Sequence, residues 1–219
     1  MKITNTEVYG FEASLRGMRN PMNSWHLQDT RFMTNNELEI EEEKNGDLLF
    51  EGVVIGEKDM DLAKRLIKAG SEHCKFLRQI QVWADFNMPL YWWSEFDTYK
   101  FNTKNSCSTI HKLFNAKKEI ELDDFVYSKE DINTLNFIIS ELNSLRQNYL
   151  ETKDFNYVIR GKRLLPTSFK QKRTVNTNYA ELINIYNQRK NHRLKEEWQD
   201  VFCKWVEGLP YMKDFLDAK

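Results

Sequence analysis

Glycine and proline are scarce in this chain, with 8 and 4 among 219 residues. That scarcity excludes long flexible or proline-rich linkers, and the chain reads as a single domain over residues 1–219. Cysteine is rarer still. Cys74, Cys107 and Cys203 are odd in number and lack metal-ligand spacing, which excludes a disulfide framework and fits reduced thiols in a cytoplasmic protein. No apolar run has the length of a signal peptide core or a membrane span, so no membrane partner is expected. A charge surplus is missing too: 32 Lys and Arg stand against 33 Asp and Glu. A protein that coats duplex nucleic acid needs a basic excess, so only a local anion pocket remains open. Phosphate-binding Walker loops, nucleophile elbows, dinucleotide fingerprints and zinc spacings are all absent. His26, His73, His111 and His192 are scattered along the chain. No catalytic residue and no metal ligand is assigned.

Aromatic residues, by contrast, are plentiful: 14 Phe, 9 Tyr and 6 Trp. Such a load suits a large core and buried interfaces. Residues 2–9 can form an opening strand. The stretch from Arg16 to Arg31 lacks a period and reads as loop. Asn45-Gly46 has hairpin chemistry and leads into an apolar strand over 48–56. Asp59 can cap a helix to about Ala69, and 78–86 alternates as a half-buried strand. A short helix follows Pro89. Ser128 with Asp131 forms a capping box for a helix to about Thr152. Two later helices are expected, over about 178–189 and 192–206, with Leu194, Trp198, Val201 and Trp205 buried in the second. The class is α+β.

Four places concentrate binding chemistry. Asn178, Leu182, Ile185 and Arg189 are spaced four, three and four, so Arg189 shares a face with apolar residues. A guanidinium there needs a partner: Glu181, Glu196 or Glu197 in a salt bridge, or a bound phosphate. The segment from Lys104 to Lys112 contains Asn105, Ser106 and Ser108. It suits a turn of backbone N–H groups that seats an anion, or alternatively a helix N-cap. Between Trp92 and Lys100, aromatic rings sit among Glu95, Tyr99 and Lys100, a mixture suited to a nucleobase or flavin or to a buried helix. In the early loop, Arg16, Arg19, Asn20, Asn23 and Trp25 are candidate ligand contacts.

From Leu164 to Trp198 the chain resembles the flavin-dependent (ThyX-type) thymidylate synthases. That family has an arginine-flanked Leu-Pro, an asparagine-bearing helix ending in arginine, and a following acid-containing helix. On this resemblance Asn178 and Asn184 match flavin-contacting asparagines, and Arg189 matches an arginine on the nucleotide substrate. Lys162, with Arg163 beside it, matches a further substrate-binding arginine. The family signature R-H-R-x-x-S-x-N-E-x-S-x-R-Y falls on Thr98-Tyr99-Lys100 and then on Asn105, Ser106 and Ser108, with His111 at its end. Asn105 and Ser108 survive, Lys100 keeps its charge, and the other signature residues are replaced. The family's preceding glutamine becomes Glu95.

The resemblance implies a thymidylate-synthase-complementing-protein-like fold, a homotetramer and a nucleotide pocket at subunit interfaces. Loss of the signature's charged donors is expected to cost several kcal/mol of ligand and transition-state binding, at about 1.5–3 kcal/mol per charge-assisted bond. The leading expectation is therefore a non-catalytic nucleotide binder with no cofactor, which sequesters a nucleotide or cyclic dinucleotide. A phage protein that blunts host signalling from the host cytoplasm would have this character. The alternative is a flavin-dependent nucleotide-modifying enzyme that uses FAD.

Overall fold

The structure, a computed structural model, describes residues 1–114 and 118–218, and side chains throughout these except at 41–45. In chain order its elements are β1 (Lys2–Tyr9), α1 (Phe11–Met18), β2 (Arg31–Phe32), α2 (Asn35–Asn45), β3 (Leu49–Phe50), β4 (Val53–Val54) and α3 (Glu57–Ala69). Then come β5 (Gln81–Pro89), α4 (Leu90–Phe96), β6 (Thr103–Ser106), α5 (Thr109–Leu113), α6 (Ile132–Thr152) and α7 (Asn156–Leu164). β7 (Lys170–Asn178) and α8 (Tyr179–Arg189) lead into a π-helix (Lys195–Cys203), α9 (Lys204–Glu207) and α10 (Met212–Asp217). One five-stranded sheet has the order β3-β1-β5-β7-β6, and β2 pairs with β4 in a separate antiparallel ribbon. β1 and β3 are parallel, with Glu7 opposite Leu49. The class is α+β, as the mixture of periods implies.

The chain forms two compact units. The larger comprises Lys2–Asp85, Tyr99–Lys104 and Thr174–Lys219; the smaller comprises Phe86–Thr98 and Asn105–Arg173, with Met1. In the larger unit β1 turns into α1 at Gly10, where φ is +98° and a Cβ would lie 2.6 Å from the Gln79 carbonyl oxygen, so only glycine fits. The Glu51 carboxylate accepts from the N–H groups of Gly10 and Phe11 at 2.8 and 2.6 Å, satisfying donors that open the helix. Phe11 then meets Phe50, Tyr179 and Tyr211 edge to face; Phe11 and Tyr179 are fully buried, Phe50 and Tyr211 half-buried. In the smaller unit Leu135, Ile139, Leu142 and Leu145 of α6 pack with Val158 of α7, Phe125 and Phe169. The Ser128–Asp131 capping box is present; one 3-10 turn separates it from α6.

Several local expectations are corrected. Asn45-Gly46 is no hairpin: Thr34 and Glu37 form a capping box, and the acidic run continues as α2 through Asn45. The apolar stretch over 48–56 is two short strands, β3 and β4, separated by Gly52 at φ +71°. Asp59 does not cap α3. It lies inside the first turn, fully buried, behind an N-cap at Gly56. The supposed loop from Arg16 to Arg31 begins inside α1, which runs to Met18, and then holds two 3-10 turns, Asn20–Met22 and Trp25–Leu27. The expected helix over 192–206 is largely π-helical, and the wider turn shifts its inner face. Trp198, Phe202, Cys203 and Val206 are buried, while Leu194, Val201 and Trp205 stay half-buried. Burial, reinforced by the Glu207 charge, pushes the Cys203 thiol up to about 12, so it is un-ionised at neutral pH.

β7 and α7 have no counterpart in the sequence reading. β7 alternates, but its inward positions are Gln171, Val175 and Thr177. Polar residues at two of three buried positions remove the apolar signal on which period-2 recognition depends.

Candidate functional site

The site is built from α8 outward and lies within the larger unit. Asn178 caps the helix: its Oδ1 accepts from the Glu181 N–H at 3.0 Å. This bond fixes the amide's orientation and leaves Nδ2 as the outward donor. Leu182, Ile183 and Ile185 anchor the helix in the core. Asn178 and Asn184 then meet on the wall of a cavity of about 290 Å³. Across it stand Cys74 and Arg78, from the segment after α3, and Phe101. Phe101 is 74 % exposed, so an aromatic face lies open at the cavity rim. Glu181, buried at the same wall, accepts from the Phe101 N–H at 3.4 Å.

Arg189, at the other end of α8, is half-buried. Its Nε donates to Tyr99 Oη at 2.7 Å, and its guanidinium lies 4.5 Å from the Trp198 ring centre. Tyr99 Oη donates in turn to Gln188 Oε1 at 3.2 Å, and Gln188 Nε2 donates to Asn184 Oδ1 at 3.0 Å. Every donor and acceptor in this line has the correct polarity. The result is a hydrogen-bonded chain from Arg189 through Tyr99 and Gln188 to the cavity wall at Asn184. An arginine bonded at Nε and lying over an indole is held in one orientation.

No family model matches the chain, and no curated protein resembles it in sequence. Solved structures do resemble it. Two structures of the flavin-dependent thymidylate synthase ThyX from Helicobacter pylori, both complexed with FAD and dUMP, align over 100 % of this chain and 99 % of theirs. The TM-scores are 0.70 and 0.69 at 17 % identity. The fold is that of ThyX.

The ThyX fold brings together only some of the residues singled out in the sequence. Tyr99 and Arg189 are bonded to each other, and Asn178 and Asn184 share one cavity. Lys100, beside Tyr99, is exposed. The early residues have other occupations. Arg19 points inward, 3 % exposed, and its Nε donates to Asp59 Oδ1. Arg16 is exposed and pairs with Glu12 one turn earlier in α1, at 3.5 Å. Asn20 Oδ1 accepts from Trp25 Nε1 at 2.8 Å. In the smaller unit Glu95 is half-buried on α4, and Lys162 and Arg163 are exposed on α7. Asn105 and Ser106 are exposed at the end of β6. Ser108 is a helix N-cap, accepting from the His111 N–H at 3.5 Å, and the Cys107 N–H donates to the Lys172 carbonyl. The segment is a strand and a capped helix instead of an open turn of N–H groups.

Gln188, Phe101, Arg78 and Glu181 belong to the site and were missed as ligand-site candidates. Gln188 had a local signal, since it follows Asn184 by one helical turn and precedes Arg189. Phe101 and Arg78 had none, because only the fold sets them beside α8. Among the described residues no helix is long and apolar enough to cross a membrane, and no three His, Cys, Asp or Glu side chains group to hold a metal ion.

Proposed function

We propose that this protein binds a nucleotide on α8 of the larger unit and holds it without making thymidylate. The observation that carries this reading is the line Arg189–Tyr99–Gln188–Asn184, which ends on the cavity. Arg189 takes the phosphate, and the cavity wall at Asn184, where that line ends, takes the base. At about 290 Å³ the cavity sits at the small end of the ~300–1,000 Å³ usual for ligand pockets, which favours one nucleotide unit over a whole dinucleotide. Tyr99 stands where the ThyX signature has its histidine and engages Arg189 directly, so the electrostatics that activate the pyrimidine in that family are rebuilt here as a holding arrangement.

The chain assembles as a homotetramer in this reading, and a second subunit completes each site with Lys162, Arg163, Glu95, Lys100, Asn105, Ser106 and Ser108. That geometry accommodates a cyclic dinucleotide, one nucleotide per cavity, and makes sequestration of a signal the natural role, as for a phage protein acting in its host's cytoplasm. Light scattering of the purified protein is expected to give the mass of four chains; a monomer at micromolar concentration removes the shared site.

A second reading, a flavin-dependent enzyme, is favoured by one observation: Asn178 and Asn184 meet at the same cavity. The Helicobacter pylori protein carries FAD and dUMP, so both ligands are direct probes. Calorimetry with dUMP, cyclic dinucleotides and FAD, together with mass spectrometry of whatever a denatured preparation releases, separates the two. The expected result is a colourless protein that releases or binds a nucleotide and binds FAD poorly. A yellow protein with stoichiometric flavin favours the enzyme and overturns the first reading.

A further inference from the structure

The cavity beside α8 holds one group whose chemistry opposes that of its neighbours. Glu181 lines the wall together with Asn178 and Asn184 and is only 5 % exposed. One carboxylate oxygen, Oε1, accepts a single long bond, from the Phe101 N–H at 3.4 Å. The other, Oε2, makes no hydrogen bond or ion pair among the described residues. It is not one of the enclosed orphan atoms of the chain either, so it reaches open space, and the open space beside Glu181 is this cavity. A carboxylate so buried gains most from N–H donors that a ligand brings. The groups around it are donors or apolar. Asn178 Nδ2 and the Arg78 guanidinium make no hydrogen bond among the described residues, and Ile67, Leu77 and Ile183 complete the lining.

Given a nucleotide on α8, as proposed above, we infer that its base is guanine, with N1–H and the 2-amino group donating to the Glu181 carboxylate. An ionised carboxylate only accepts, and two parallel N–H groups match its two oxygens. Guanine carries two adjacent donors on its pairing edge. Adenine and cytosine turn a ring-nitrogen acceptor toward the carboxylate and are repelled. Uracil offers one N–H between two carbonyls. The guanine O6, next to N1–H, needs a donor, and Asn178 Nδ2 lies one helical turn from Glu181. Glu181 and Arg189 are both on α8, about 12 Å apart along its axis at 1.5 Å per residue, a distance one nucleotide bridges from phosphate to base edge.

Calorimetry on the full chain with GMP, dGMP, IMP, AMP, CMP and dUMP reads the preference. GMP should bind about a hundredfold tighter than AMP or CMP, and IMP, which keeps N1–H but lacks the 2-amino group, about tenfold weaker than GMP. dGMP should match GMP, because the carboxylate reads the base and not the sugar hydroxyls. Glu181→Gln should weaken GMP about tenfold and strengthen XMP, whose O2 accepts from the side-chain amide while its N1–H donates to the amide oxygen. A gain for XMP is a result that a misfolded variant cannot give. Arg189→Ala should weaken GMP and AMP alike and preserve their ratio. The guanine assignment is overturned, with the nucleotide reading intact, by dUMP or IMP binding as tightly as GMP, by dGMP binding much more weakly, or by Glu181→Gln without the shift to XMP. Binding of none of these nucleotides removes both.

Discussion

Replacing Arg189 by alanine is expected to weaken nucleotide binding by about thirty- to a thousandfold, which is about 2–4 kcal/mol. The magnitude rests on how the guanidinium is held. Nε is occupied by Tyr99 Oη at 2.7 Å, and the plane lies 4.5 Å from the centre of the Trp198 ring. The side chain is ordered before any ligand arrives, so little rotamer entropy is lost on binding. Arg189→Lys should recover only part of the affinity, because a point charge reproduces neither the fork nor the stacking. The same contacts contribute to folding, so the alanine variant should also melt somewhat lower, since it loses the Tyr99 hydrogen bond and the contacts with the Tyr99 and Trp198 rings, about 1 kcal/mol each. Affinity and melting temperature measured on one variant separate the roles. A lower melting temperature with unchanged nucleotide affinity would assign Arg189 to structure and end the phosphate-clamp reading.

The second large effect is on stability, at Asp59. Asp59→Ala is expected to destabilise the protein by about 3–5 kcal/mol, the cost of leaving a buried charge without its counterion. Asp59 is 0 % and Arg19 3 % exposed. One carboxylate oxygen accepts from Arg19 Nε. The other accepts from the N–H groups of Asp29 and Thr30 and from Thr30 Oγ1, at 3.1, 2.9 and 2.6 Å. Alanine strands the guanidinium and three donors together. Asp59→Asn keeps an acceptor for some of these and should cost less. Urea denaturation reads the difference directly, and the thermal midpoint should fall by about 6–20 °C for a chain of this size. A loss below about 1 kcal/mol, the range of a hydrated surface pair, would contradict the buried pairing.

Arg19 illustrates how far a sequence reading reaches. An arginine in an aperiodic stretch beside asparagines resembles a ligand contact. Its partner is Asp59, 40 residues away, which itself had the local look of a helix cap. Each residue was misread because each was read alone. Arg189 and Asn178 show the opposite case. Apolar residues at helical spacing between Asn178 and Arg189 are a local signal, and α8 spans that stretch, with Asn178 as its cap. The partner of Arg189 Nε was not local: Tyr99 lies 90 residues earlier.

By itself the sequence determined the α+β class, the capping box before α6, the start and end of α8, and through its motifs the likeness to the ThyX fold. These are properties of short-range hydrogen bonds and of apolar periodicity, which neighbouring residues establish among themselves. Tertiary structure alone decided that β7 is a strand despite its polar inward side chains. It decided too that the π-helical turn carries Phe202 and Cys203 to the core, and that Arg78 and Phe101 meet Asn178 and Asn184 around one cavity. Each of these depends on contacts between segments far apart in the chain. Burial and hydrogen bonding across such distances outweigh the fraction of a kcal/mol per residue that local propensity supplies.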